Sequence, residues 1–153
     1  MASGHAGAKS LVTVALAPAL IDNTAANTLS AAIDMQGYDR VRFIYQLGGM
    51  VNGSSLSTWA VESNESNLGN STNIVNAENT SQQAALVNVA NTDNNSVQIL
   101  DIYRPTKRYV GVYVDAAAAN ITLMGVLAER FRGTGVLPAT QPSGHQYVSV
   151  RAN

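Results

Sequence analysis

Residues 39–47, DRVRFIYQL, set Val41, Phe43, Tyr45 and Leu47 on one side of an extended chain and Arg42, Ile44 and Gln46 on the other. Side chains of a strand alternate between its two faces, so a period of two with one apolar side predicts a half-buried β-strand. The alternation returns in LSTWAVES (56–63), where Trp59 and Val61 oppose Thr58 and Ala60. Residues 97–103 (VQILDIY), 108–114 (RYVGVYV) and 121–128 (ITLMGVLA) are further strands of ordinary length, with weaker ones at 11–16 and 29–35.

Turn-forming clusters separate these runs: GGMVNGSS, SNESNLGNSTN, NTDNNS and DAAAAN. Gly, Asn and Asp accept positive φ or hydrogen-bond their own backbone, so such clusters between short strands predict a sandwich or barrel. Periodicity leaves QQAALVNVA (82–90) open between a short helix and a strand. The four alanines at 116–119 are too few to nucleate a helix and are expected in a loop. In RPTK (104–107), Pro105 suits the second position of a type I turn, which predicts a β-hairpin over 97–114 with Arg104, Lys107 and Arg108 at its tip. Cationic side chains there would stay hydrated and discourage edge-to-edge pairing, or would contact an acidic partner.

The expected architecture is all-β, an antiparallel, jelly-roll-like β-sandwich with extended terminal arms. Residues 1–10 form a flexible N-terminal segment, 11–130 the sandwich, and 131–153 an extended C-terminal arm. That arm is rich in Gly and Pro yet keeps Val136, Leu137, Tyr147, Val148 and Val150, an apolar set suited to docking on a neighbour. A chain of 153 residues can bury about 70% of its unfolded surface without staples.

The chain has no cysteine, which excludes disulfides and thiolate metal sites and fits synthesis in a reducing cytoplasm. Its net charge is −1 with 12% charged residues, so no global field draws it to nucleic acid or anionic lipid. No apolar run approaches the ~20 residues of a membrane helix, and Thr13 and Pro18 interrupt the one run that resembles an export signal. Asn-x-Ser/Thr triplets at Asn52, Asn64, Asn70, Asn79, Asn94 and Asn120 follow from a composition rich in these residues. Residues 104–153 hold six basic and two acidic residues, and earlier positions three basic and eight acidic.

Catalytic chemistry is not evident. His5 and His145 lie beside glycines in terminal segments, where nothing would hold a catalytic base rigidly. No Gly-x-Ser-x-Gly elbow exists, and LGGMVNGSS lacks the Gly-Lys-Ser/Thr ending of a phosphate loop. Asp22, Asp34 and Asp39 lack calcium-loop spacing and are expected to cap turns. Trp59 is expected to anchor the core, its alternative being a sugar-stacking platform shared with tyrosines. The chain is expected to be no enzyme, with no cofactor and no metal.

Three segments, APALIDNTAANTLSAAIDMQGYDRVRFIYQLG (17–48), WAVESNES (59–66) and TKRYVGVYVDAAAANITLMGVLAE (106–129), resemble small tailed-bacteriophage virion proteins of the capsid decoration (cement) and minor head type. The likeness spans residues 17–130. It implies an all-β, often trimeric protein of the capsid surface, made in the host bacterial cytoplasm, that bridges and stabilises neighbouring major capsid protein subunits. It implies no nucleic-acid or membrane partner. In that group Asp34, Gly37, Tyr38 and Asp39 would turn the chain into the strand at Val41, Thr106–Val110 would open a late strand, and a basic residue often stands where this chain has Gly111. Expected partner contacts are Arg104, Lys107, Arg108, Arg130, Phe131, Arg132, Tyr147 and Arg151. The alternatives are a host- or carbohydrate-binding module of a virion spike, using Trp59 and Asn-rich loops, and a neck or tail component.

Overall fold

The computed structural model describes residues 10–76, 83–132 and 147–151. Twelve strands occur there: β1 (Ser10–Leu16), β2 (Ala19–Ile21), β3 (Thr28–Leu29), β4 (Ile33–Asp34), β5 (Arg40–Met50), β6 (Ser55–Ser63), β7 (Thr72–Asn73), β8 (Ala85–Ala90), β9 (Val97–Tyr103), β10 (Tyr109–Ala117), β11 (Ile121–Phe131) and β12 (Tyr147–Arg151). They form two sheets. Sheet A runs β1-β11-β5-β9-β12, with β2 also on β11; sheet B runs β3-β10-β6-β7, with β4 on β10 and β8 on β6.

The pairings are nested. β6 pairs with β8, β5 with β9, β3 and β4 with β10, and β1 with β11, all antiparallel. A long hairpin rolled over itself gives this order, so the sandwich is a jelly roll, a fold that limits exposed sheet edges by stacking two sheets. β12 adds to the edge of β9 in parallel, opposing Tyr147 to Ile99 and Arg151 to Tyr103, and makes the sheet mixed.

The core lies between the sheets. Val41, Phe43, Tyr45 and Leu47 point inward from β5 as the alternation predicts, meeting Leu100 and Ile102, Ile121, Leu123 and Val126, and the β10 residues Val110, Val112 and Val114. The Ala85–Ala90 stretch is a strand, and β10 carries Ala116 and Ala117 beyond the expected boundary before Ala118 turns the chain at φ 67°.

Residues 97–114 do not form a hairpin. β9 lies in sheet A and β10 in sheet B, so 104–108 is a crossover between layers, and Arg104 adopts a left-handed φ of 54° to make it. Local turn chemistry was compatible with both connections; the partners that decide between them are β5 and β6, far off in sequence.

Trp59 is likewise not a core anchor. The inward side of β6 is Leu56, Thr58 and Ala60, while Trp59 is half-buried on the outer face of sheet B and stacks on Tyr113 at 5.4 Å between centroids. Thr58 is tolerated inside because its hydroxyl meets the Tyr45 phenol at 2.9 Å and also donates to the Tyr113 carbonyl. Burial pushes the Tyr45 phenol far up, so it remains a neutral hydrogen-bonding group. On the same outer face Val61 and Gly111 are buried, and Leu68 from the 64–71 loop packs over Gly111. A Cβ at Gly111 would stand 2.4 Å from Leu68 Cδ1 and 3.2 Å from Ser30 Oγ, so a side chain there would have to displace Leu68.

Candidate interaction surfaces

One end of the sandwich gathers most of the cationic residues singled out in the sequence. The turn at 35–38 closes with the Tyr38 N–H donating to the Met35 carbonyl at 2.9 Å, and Gly37 at φ 81° supplies the left-handed residue of a type II turn. Asp34 caps it by accepting the Gln36 N–H at 2.9 Å. The 104–108 crossover docks beside this turn, the Arg104 N–H donating to the Asp39 carbonyl at 2.7 Å.

Arg108 forks onto Asp34, Nε to Oδ1 at 3.0 Å and Nη2 to Oδ2 at 2.8 Å. Its guanidinium, with help from the Gln36 N–H, holds the Asp34 carboxyl at about 2. Since that value lies below the ordinary ~3.9, the pair is intact above pH ~4 and is lost only as pH falls through about 2. Arg108→Ala is expected to move the Asp34 carboxyl back towards the ordinary range, read by NMR titration of its carboxyl carbon; an unmoved midpoint would refute the assignment.

Arg130 comes from β11 to the same turn. It donates to the Asp34 carbonyl at 2.6 Å and to Thr13 Oγ1 at 3.1 Å, and lies 5.0 Å from the centroid of the Tyr38 ring. Arg132 stands over that ring at 5.4 Å and is exposed. Cation–π contacts of this kind orient a guanidinium while leaving its edge able to donate. Lys107 donates to Thr72 Oγ1 at 2.8 Å, and exposed Arg104 lies over Tyr103 at 5.1 Å.

Glu62 is the interior fastening of the crossover. Although buried, its carboxylate accepts the Thr106 N–H at 2.8 Å, the Thr106 hydroxyl, and the Lys107 N–H at 3.2 Å. A carboxylate so placed acts as the cap that the local sequence cannot provide for itself. Alternation alone did not single out Glu62, although a carboxylate in an apolar strand was its visible signal.

A second charged group lies across sheet A. Arg40, 4% exposed, forks onto fully buried Asp101, with Nε to Oδ1 at 2.6 Å and a second contact from Nη2 to Oδ2. Arg42 approaches Asp101 at 3.6 Å and Glu129 at 3.8 Å, with its guanidinium 5.1 Å from the Phe131 ring centroid. Phe131 is the last residue of β11.

Of the expected contact residues, the structure brings Arg104, Lys107, Arg108, Arg130 and Arg132 to one end, largely anchored by their own chain. Tyr147 and Arg151 belong to β12 at the sheet edge, and His5 and His145 lie outside the described residues. Asp22 accepts the Thr24 N–H at 2.9 Å as a turn cap, which lowers its carboxyl. No group of three or more histidine, aspartate or glutamate residues among the described residues could hold a metal ion.

No family model matches the sequence, and no curated protein does. Among solved structures, the chain is similar to the SPBc2 prophage-derived protein YomS, at 12% identity and TM-score 0.48, over 79% of this chain and 91% of that one. It is also similar to chains in the infectious bursal disease virus Gt strain (8% identity, TM-score 0.45, covering 84% of this chain and 34% of that one) and in the T13 particle of that virus (9%, 0.38, 82% and 32%).

Proposed function

We propose that the chain is a structural protein of a tailed-phage virion, a decoration protein that binds the outer shell surface and bridges neighbouring major capsid protein subunits. The observation that carries this reading is a convergence. The two motifs behind the virion-protein resemblance, Asp34–Asp39 and Thr106–Val110, are far apart in sequence yet meet through Arg108–Asp34, with Arg104 just before the second motif bonded to Asp39, to build one basic end.

A cement protein makes no bonds; it must span a seam so that separating the shell subunits also breaks its own contacts. A stable contact of this type buries more than about 1,000 Å². We propose that three copies act as one body, since attachment of one raises the effective concentration of the others to roughly millimolar. The basic end supplies charged contacts from side chains already oriented, which reduces the ordering cost of binding.

Co-sedimentation with shells assembled from the major capsid protein of the same virus tests this. Saturable binding and a raised shell melting temperature are expected, with Arg104→Glu/Arg132→Glu weakening binding at least tenfold and steepening no other property of the fold. Absence of binding by the unaltered chain would overturn the reading.

A second reading is favoured by the outward position of Trp59. Its stacked pair with Tyr113 sits on an outer sheet face, where an aromatic plane can pack against the apolar face of a sugar. Glycan-array signal that Trp59→Ala abolishes would replace the shell assignment with a carbohydrate-binding one.

A further inference from the structure

The two outer faces of the sandwich differ. The 64–71 loop covers part of sheet B through Leu68, whereas sheet A leaves an aliphatic field open. Antiparallel register lines up Val14, Leu127, Ile44 and Ile99 in one row across β1, β11, β5 and β9. Five of the seven most exposed large apolar side chains among the described residues, Val12, Val14, Leu20, Met124 and Leu127, belong to β1, β2 and β11 on this side.

The field has relief. Register slips between Val14 and Leu16 and between Leu123 and Gly125, where Gly125 takes φ 127°, bend both strands around a dent of about 200 Å³ bordered by Leu16, Pro18, Ile44, Val97 and Met124. That volume is below the ~300–1,000 Å³ of small-molecule sites and suits one apolar side chain. The same face carries such side chains at its margin: Leu20 is 64% exposed and Met124 49%.

Its flank is balanced in charge among the described residues. The next row, Glu129–Arg42–Asp101, is tied to Arg40, so two cations and two anions offset one another. Among the described residues this row offers a strongly charged partner no net charge, while a second copy would bring an equally neutral row and no like-charge repulsion. At about 4.8 Å per strand over four strands, and about 3.4 Å per residue over nine residues, the whole outer face of sheet A measures roughly 600 Å², with the row at Asp101 its covered margin. Two such faces packed together would bury up to roughly 1,200 Å², at the lower end of the range for a specific interface.

We propose that this aliphatic face of sheet A is where the chain meets a second copy of itself. The inference rests on the self-association in the proposed function and specifies one contact of it, a face-to-face pairing of two copies, and it stands independently of shell binding. Sedimentation velocity on the full chain across a concentration series is the test. The unaltered chain is expected above monomer mass, and Val14→Asp/Leu127→Asp is expected to weaken association at least tenfold and yield monomer with an unchanged β circular-dichroism spectrum. Both positions are exposed, at 57% and 41%, so the substitutions leave the core intact.

Met124→Glu should act in the same direction if the double variant fails to fold, and Asn73→Asp on sheet B should leave the mass unchanged. Monomeric unaltered chain at 100 μM (about a hundred times a 1 μM Kd) would overturn both self-association and this face. Association that survives the sheet A substitutions would overturn the face alone. Association without shell binding would leave the face standing and remove the virion assignment.

Discussion

Arg40→Ala is expected to lower the unfolding free energy by about 3–5 kcal/mol, because it leaves the Asp101 carboxylate buried without its forked guanidinium. Arg42 at 3.6 Å does not replace that geometry. For a domain of this size the loss corresponds to a drop of about 10 °C in Tm, a large fraction of a marginal stability. Denaturant melts of Arg40→Ala, Asp101→Leu and the pair Arg40→Met/Asp101→Leu separate the causes. Each single change should be costly, and the apolar pair should recover most of the loss, since two facing apolar side chains need no charge compensation. A single-variant loss under 1 kcal/mol would show that the ion pair contributes little.

Glu62→Ala is expected to cost about 2–3 kcal/mol and to release the crossover before the sandwich melts. The carboxylate takes three donors from Thr106 and Lys107, and hydrogen bonds to a charged acceptor contribute about 1.5–3 kcal/mol. Part of the loss is recovered because solvent can reach exposed Thr106 once the carboxylate is gone. Amide exchange at Thr106 and Lys107 should accelerate at least tenfold under native conditions, through an opening that leaves β5 and β11 paired. Glu62→Gln should fall between, because its amide keeps one acceptor and points a donor at the same N–H groups. Unchanged exchange at both amides would rule out the fastening role. The orientation of the basic end depends on this carboxylate, so shell binding should weaken together with the crossover.

The strands were legible where one face had to be apolar. Val41, Phe43, Tyr45 and Leu47 could only alternate as they do, and the all-β sandwich followed from several such runs and the turns between them. Alternation defines two faces without stating which one turns inward, and Trp59 shows the consequence: a hydroxyl at Thr58 satisfied by Tyr45 displaced the larger apolar side chain to the outside. The RPTK segment carried correct turn chemistry but no information about layers. Whether it closes a hairpin or crosses between sheets depends on β9 finding β5 and β10 finding β6.

The basic residues were visible as candidates, but their partners were not. Asp34 reaches Arg108 and Tyr38 reaches Arg130 only after the jelly roll brings the two ends of the chain together. The aliphatic row across sheet A was hidden for the same reason. Each of Val14, Ile44, Ile99 and Leu127 is unremarkable in its own strand, and only the register makes them one surface.

Image reconstruction of virions with and without this chain tests the central claim most directly. The account predicts density of jelly-roll size on the outer shell surface, astride the seams between major capsid protein subunits and absent from particles lacking the chain. Identical shell surfaces in the two reconstructions, or density confined to the tail or to a receptor-binding spike, would contradict it.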